Sequence, residues 1–123
     1  MRTEFPPVNT PLKTRPLRTR RTTGDRVREA LLELAEGHAT PISHNEQAWA
    51  SITFAGTRHE FVLQFDSPEA IEAGEQLIAA LPDHEFTIPG QLVAEASVNS
   101  VDHTMHPAPN LVVKLTLLLL EEA

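Results

Sequence analysis

Residues 47–66 read QAWASITFAGTRHEFVLQFD, and the reading of this stretch decides the fold. Ala48, Ala50, Ile52 and Phe54 alternate with Trp49, Ser51 and Thr53. After Gly56-Thr57, His59, Phe61, Leu63 and Phe65 alternate with Arg58, Glu60, Val62 and Gln64. A period of two marks strands with one buried face. Gly-X suits a two-residue type II′ turn, so the stretch predicts a β-hairpin. With Gly56-Thr57 as the loop, the expected register pairs Phe54 with His59, Ile52 with Phe61, Ala50 with Leu63 and Ala48 with Phe65. These four pairs share one face. Thr53–Glu60, Ser51–Val62 and Trp49–Gln64 share the other.

Upstream, Val27, Ala30, Leu31 and Leu34 recur at helical spacing and predict a helix from about Asp25 to Glu36. Thr22-x-x-Asp25 is a loose capping box, and Gly37 suits the C′ position. Downstream, Ser67-Pro68-Glu69 opens a second helix with an N-cap serine, a proline at the first position and an acid in the first turn. Ile71, Gly74, Leu77, Ile78 and Leu81 form its apolar stripe. Glycine on that stripe implies close approach to the sheet, since mid-helix glycine otherwise only weakens the helix.

A second hairpin follows. One strand spans Gln91 to about His103, the loop spans residues 104–110, and the last strand runs from Leu111 to Glu121. The last strand is apolar on both faces, interrupted only by Lys114 and Thr116, which places it inside the sheet. The helix–hairpin–helix–hairpin order therefore predicts an α+β domain. Its four-stranded, mainly antiparallel sheet takes the order 1-2-4-3, with the second helix in a split β-α-β arrangement. Trp49, Val62, Val93, Val101, Val112, Leu118 and Leu120 are expected on the sheet face away from the helices, and Trp49, Val62, Val112, Leu118 and Leu120 are the interface candidates. Apolar residues left bare on such a face mark an interface.

Residues 1–24 are a separate region by composition, a Pro/Thr/Arg-rich extended arm ahead of a single domain at 25–123. Pro6, Pro7, Pro11 and Pro16 favour extended backbone, and Pro11-Leu12-Lys13-Thr14-Arg15 is followed at once by Pro16-Leu17-Arg18-Thr19-Arg20. Residues 1–28 carry eight basic residues and two acids, a net +6; residues 29–123 carry two basic residues and fifteen acids, a net −13. Together they give the overall −7. In a basic arm on an acidic body, the halves of opposite charge attract each other or attract different partners.

The residue types for much site chemistry are missing. The chain has no cysteine, which rules out disulfides, thiolate metal sites and cysteine nucleophiles. It has no Gly-x-Ser-x-Gly elbow, and its five glycines are dispersed, so no phosphate-cradling loop exists. Asp102-His103-x-x-His106 is a weak metal candidate within a proline-rich loop. His59 reads as a histidine at the core edge, bonded locally. Glu69, Glu72 and Glu75 are spaced as a solvated helix face. No cofactor is expected, and enzymatic activity is not.

Lys13, Arg15, Arg18, Arg20 and Arg21 are the strongest binding candidates. They could contact phosphates, which makes nucleic acid one possible partner. The acidic body and the lack of stacking aromatics in the arm favour an acidic protein surface instead. An ordered arm of this composition needs something to hold it, which suits a small subunit of a virion or other multi-copy particle. The expected function is a non-enzymatic protein-interaction or structural subunit that self-associates. A nucleic-acid-associated protein, and a small enzyme or ligand-binding domain with its own pocket, are the alternatives. Met1 to Pro7 show no apolar leader, and the apolar run at 115–120 is too short to span a bilayer. The expected setting is therefore the cytoplasm, or a soluble place in an assembly, with no membrane partner.

Overall fold

The computed structural model describes residues 21–122. Its elements are α1 (Thr23–Leu34), β1 (Thr40–Ala50), β2 (Ala55–Phe65), α2 (Pro68–Ala80), a 3₁₀ turn (Leu81–Asp83), β3 (Gln91–Thr104) and β4 (Asn110–Glu121). The four strands form one antiparallel sheet in the order β1-β2-β4-β3, the α+β architecture expected from the element order.

The helix ends follow local chemistry. Thr22 and Asp25 close a reciprocal capping box at α1: Thr22 Oγ1 accepts from the Asp25 N–H at 3.0 Å, and Asp25 Oδ2 accepts from the Thr22 N–H at 3.1 Å. The helix starts two residues before the expected Asp25, and Gly24 is buried within it. At its C-terminus the Gly37 N–H donates to the Leu32 carbonyl and the Glu36 N–H to the Glu33 carbonyl, which is a Schellman pattern. The left-handed C′ position belongs to Glu36 (φ 56°), not to Gly37 as the sequence suggested; Gly37 (φ 77°) follows it. In α2, Ser67 caps the Ala70 N–H as expected.

Both helices pack on one sheet face. Val27 and Leu31 of α1 and Ala70, Ile71 and Leu77 of α2 meet Phe61, Leu63 and Phe65 of β2, and Leu111, Val113, Leu115, Leu117 and Leu119 of β4. A Cβ at Gly74 would lie 2.7 Å from Leu111 Cδ2 and 2.9 Å from Phe65, so this glycine lets α2 descend onto the sheet.

The first hairpin differs from its expected register. The chain turns through Ser51–Phe54, with the Ser51 N–H donating to the Phe54 carbonyl at 2.7 Å and Ser51 Oγ accepting from the Phe54 N–H. Ala50 faces Ala55, His44 faces Phe61 and Glu46 faces His59, while Ile52 sits fully exposed at the tip and Phe54 is 54% exposed. Gly56 and Thr57 belong to β2, where a Cβ on Gly56 would collide with the Leu119 carbonyl oxygen of β4. The physical reason is that β1 is an edge strand. Its backbone bonds to β2 hold it, so the polar run from Ser43 to Gln47 can form strand without burying an apolar face.

Register shifts in β3 between Val93 and Glu95, and between Val98 and Ser100, correct a second expectation. Each bulge shifts the alternation by one residue. Val93 and Val101 pair with Leu119 and Val113 on the helix-covered face, not on the outer face, and the two bulges between them turn Ala96 and Val98 to the same side, opposite Leu117 and Leu115.

Candidate functional site

Two regions stand out once the sheet is built. The first is the outer face, on which no described element packs. Trp49, Gly56, Leu120 and Leu92 lie in register across all four strands, in one row. Trp49 and Leu120 are half-buried and Leu92 is exposed. Leu118 lies in the next row, and the exposed tip residues Ile52 and Phe54 begin just beyond Trp49. This end of the outer face is an apolar ledge. Towards the other end the face turns polar: Thr116 donates to Asn99, and Gln64 donates to Asn110. Val62 and Val112 lie in this polar half, half-buried, opposite Lys114 and Gln64.

The edges of the sheet differ. β3 is interrupted by its two bulges, which blunt an edge against pairing. β1 has one irregularity, at Pro41/Ser43, and then runs regularly from Ser43 to Ala50 without proline or lysine. Its outward backbone groups form an open edge eight residues long.

The second region lies between the N-terminal half of α1 and the middle of the first hairpin. His44 on β1 and His59 on β2 both point to the helix side. His44 is half-buried and stacks on Phe61 with ring centroids 4.0 Å apart. His59 is 1% exposed. His44 Nε2 and His59 Nδ1 are 3.0 Å apart, and Arg28 Nη1 of α1 is 3.2 Å from His44 Nδ1. A guanidinium only donates, so Nδ1 of His44 accepts. The His44 proton then sits on Nε2 and is donated to His59 Nδ1. His59 carries its own proton on Nε2, a buried atom with no partner, at a cost of about 1–3 kcal/mol.

Burial lowers the pKa of both histidines. For His44 the nearby Arg28 adds to the effect and Glu46 opposes it; for His59 Glu46 opposes it and His44 adds. Glu46 Oε2 reaches within 3.8 Å of His44 Nε2. The Glu46 carboxylate lies against the first turn of α1, and only because residue 24 is glycine: a Cβ there would collide with Glu46 Oε2.

His44, Glu46 and His59 are the convergent set of metal-ligand atoms among the described residues, all within 4.8 Å of one another. The sequence singled out His59 as a bonded core-edge residue but not its partner. His44 is 15 positions away and joins it only through the register. Asp102 and His103 are neighbours on β3, so they project to opposite faces, pairing with Val112 and Leu111; His106 lies in the following loop, exposed. Lys13, Arg15, Arg18 and Arg20 lie outside the described residues. Arg21 forms an ion pair with Glu29 of α1.

A cleft of about 560 Å³ runs along residues 84–93 to Glu122, and one of about 480 Å³ lies between the same loop and α1. The two histidines with shifted pKa values lie in neither cleft. Among the described residues no helix is long and apolar enough to cross a membrane.

No protein-family model matches the chain, and no curated protein matches it. Among solved structures, a chain described as "Virion of native gene transfer agent (GTA) particle" is similar, with 14% identity, 82% of this chain and 92% of that chain covered, and a TM-score of 0.49. A likeness of that strength carries no function to this chain.

Proposed function

We propose that the protein is a non-enzymatic structural subunit that associates with further copies of itself, its basic arm lying on the acidic body of a neighbour. The observation that carries this reading is the apolar row Trp49–Gly56–Leu120–Leu92, continued by Leu118 and the tip residues Ile52 and Phe54, on a sheet face that no described element covers. Apolar side chains gathered at one end of such a face, with Ile52, Phe54 and Leu92 exposed, mark an interface. The open edge of β1 borders the same end of the sheet and offers backbone donors and acceptors to a second strand. The occupant is argued from charge. The +6 N-terminal region complements the −13 remainder of the same chain, and Arg21 already pairs with an acid of the body. Lys13, Arg15, Arg18 and Arg20 would extend that pairing to a neighbouring copy.

The test is sedimentation of the full chain at micromolar concentration. A dimer or larger species is expected. Leu118→Lys should shift it to monomer, because an unpaired charge is costly to bury. Removal of residues 1–20 should weaken assembly while leaving the far-ultraviolet circular dichroism spectrum of the folded domain unchanged. The truncation stops at 20 because Thr22 and Gly24 belong to α1 and its cap. A monomeric wild-type chain refutes the reading. Nucleic-acid binding that disappears with the arm, while assembly stays unchanged, replaces it with the nucleic-acid alternative.

A further inference from the structure

We propose that His44, Glu46 and His59 form a zinc-class divalent metal site that staples edge strand β1 to β2 beneath the first turn of α1. The ligand chemistry is two imidazole nitrogens and one carboxylate, a set suited to borderline cations such as zinc. With metal–ligand bonds of about 2.0–2.1 Å, tetrahedral ligand atoms stand about 3.3 Å apart. The separations here bracket that value: 3.0 Å between the imidazole nitrogens, 3.8 Å from His44 Nε2 to Glu46 Oε2, and all three atoms within 4.8 Å. His44, Glu46 and the pairing partner of Glu46, which is His59, all face the helix side, so the ladder register itself aims the three donors at one point.

Two further features fit a built site. Glycine at position 24 makes room for the Glu46 carboxylate against α1. His59 is wholly buried beside Phe61, Leu63 and Phe65, which show that plain hydrocarbon fills that face well, and the ring nitrogen it turns to His44 is Nδ1, the atom a metal would take. β1 also lacks other anchors to the core: Ala48 and Ala50 on its helix side are exposed. Glu46 is exposed, which leaves the fourth coordination position open to water.

Arg28 sets the terms of binding. In the metal-free molecule its guanidinium donates to His44 Nδ1, which keeps the proton on Nε2, where a metal must bind. On metal binding, Nε2 gives up that proton and Nδ1 takes one up, so His44 remains neutral. Arg28 turns away to Asp25, to which its Nη2 already donates at 2.7 Å. Arg28 is thus a competitor of the metal, by charge and by tautomer.

The experiment uses the chelator-treated full chain, titrated with zinc chloride by calorimetry and followed by thermal unfolding. One zinc per chain and a rise in the unfolding temperature are expected. His59→Ala risks the fold, so the deciding variants are at the exposed Glu46 and at His44 on the edge strand. Glu46→Gln and His44→Asn should each weaken zinc at least tenfold while retaining the metal-free circular dichroism spectrum. Arg28→Ala should tighten zinc several-fold. Absence of stoichiometric binding overturns the proposal. So does affinity unchanged in Glu46→Gln and His44→Asn, which places zinc elsewhere, or affinity unchanged or weakened in Arg28→Ala.

Discussion

Phe61 faces His44 across the β1–β2 ladder, and the two rings stack with centroids 4.0 Å apart. Alternation alone would have put Ile52 opposite Phe61. The observed pairing brings a polar ring to the core edge and leaves Ile52 at the hairpin tip, in water. Phe61→Ala should therefore cost about 3–5 kcal/mol, the range for a wholly buried phenylalanine. Ile52→Ala should change stability by no more than about 0.5 kcal/mol in dissociated protein, as for an exposed position. Urea denaturation of the two variants at low protein concentration checks the register, and comparable losses would contradict it.

Gly74→Ala tests how closely α2 lies on the sheet. Alanine raises intrinsic helix propensity by about 1 kcal/mol over glycine. Here its methyl group would press on Leu111 and Phe65, both closer than 3.0 Å. Overpacking of a filled core costs about 1–3 kcal/mol, so the net effect should be destabilising or at best neutral. A clear gain in the denaturation midpoint would mean that α2 sits further from the sheet.

Glu36→Gly should stabilise the protein by about 1 kcal/mol. Glu36 holds the left-handed C′ position of α1, a conformation that costs an L-residue about 1–2 kcal/mol and that glycine adopts freely. Part of that gain is offset by the extra freedom of glycine in the unfolded chain. Its side chain is exposed, so little packing is lost. Thermal unfolding at pH 7 measures the effect.

Asp25 supplies a pH signature for the capping box. The Thr22 backbone N–H, donating to the carboxylate, holds the Asp25 pKa below its ordinary 3.8, with the Thr22 hydroxyl and Arg28 adding to this. A carboxyl whose pKa is lowered on folding contributes stability that is fully present above the unfolded value and is lost as pH falls through the folded value. Asp25→Asn should therefore be less stable than wild type above pH 3.8, and the difference should vanish as pH falls below it. Urea midpoints of both proteins between pH 7 and pH 2.5 give the comparison. A difference independent of pH would remove the ionic contribution.

Legibility in the sequence followed the range of the forces involved. Ser67-Pro68-Glu69, Thr22-x-x-Asp25 and Gly74 carry their meaning within a turn of helix, and each does what its local chemistry requires. β4 announced its central place because a strand apolar on both faces cannot lie at an edge, and the sheet order 1-2-4-3 follows from that and from the antiparallel connections. The buried face of β2 was equally plain from Phe61, Leu63 and Phe65.

The residues that meet across the edge strand were decided by tertiary structure. β1 buries almost nothing, so no hydrophobic period marks its register, and a slip of several residues costs little in local terms. What selects the register is Ser51 closing the turn, Gly56 passing under the Leu119 carbonyl, and α1 settling over His44 and Glu46. The same holds for β3, whose pairing with β4 puts Val93 and Val101 on the helix side and whose two bulges turn Ala96 and Val98 there as well. His44, Glu46 and His59 are therefore invisible as a group in the chain, because their convergence is a property of strand pairing and helix docking, not of spacing.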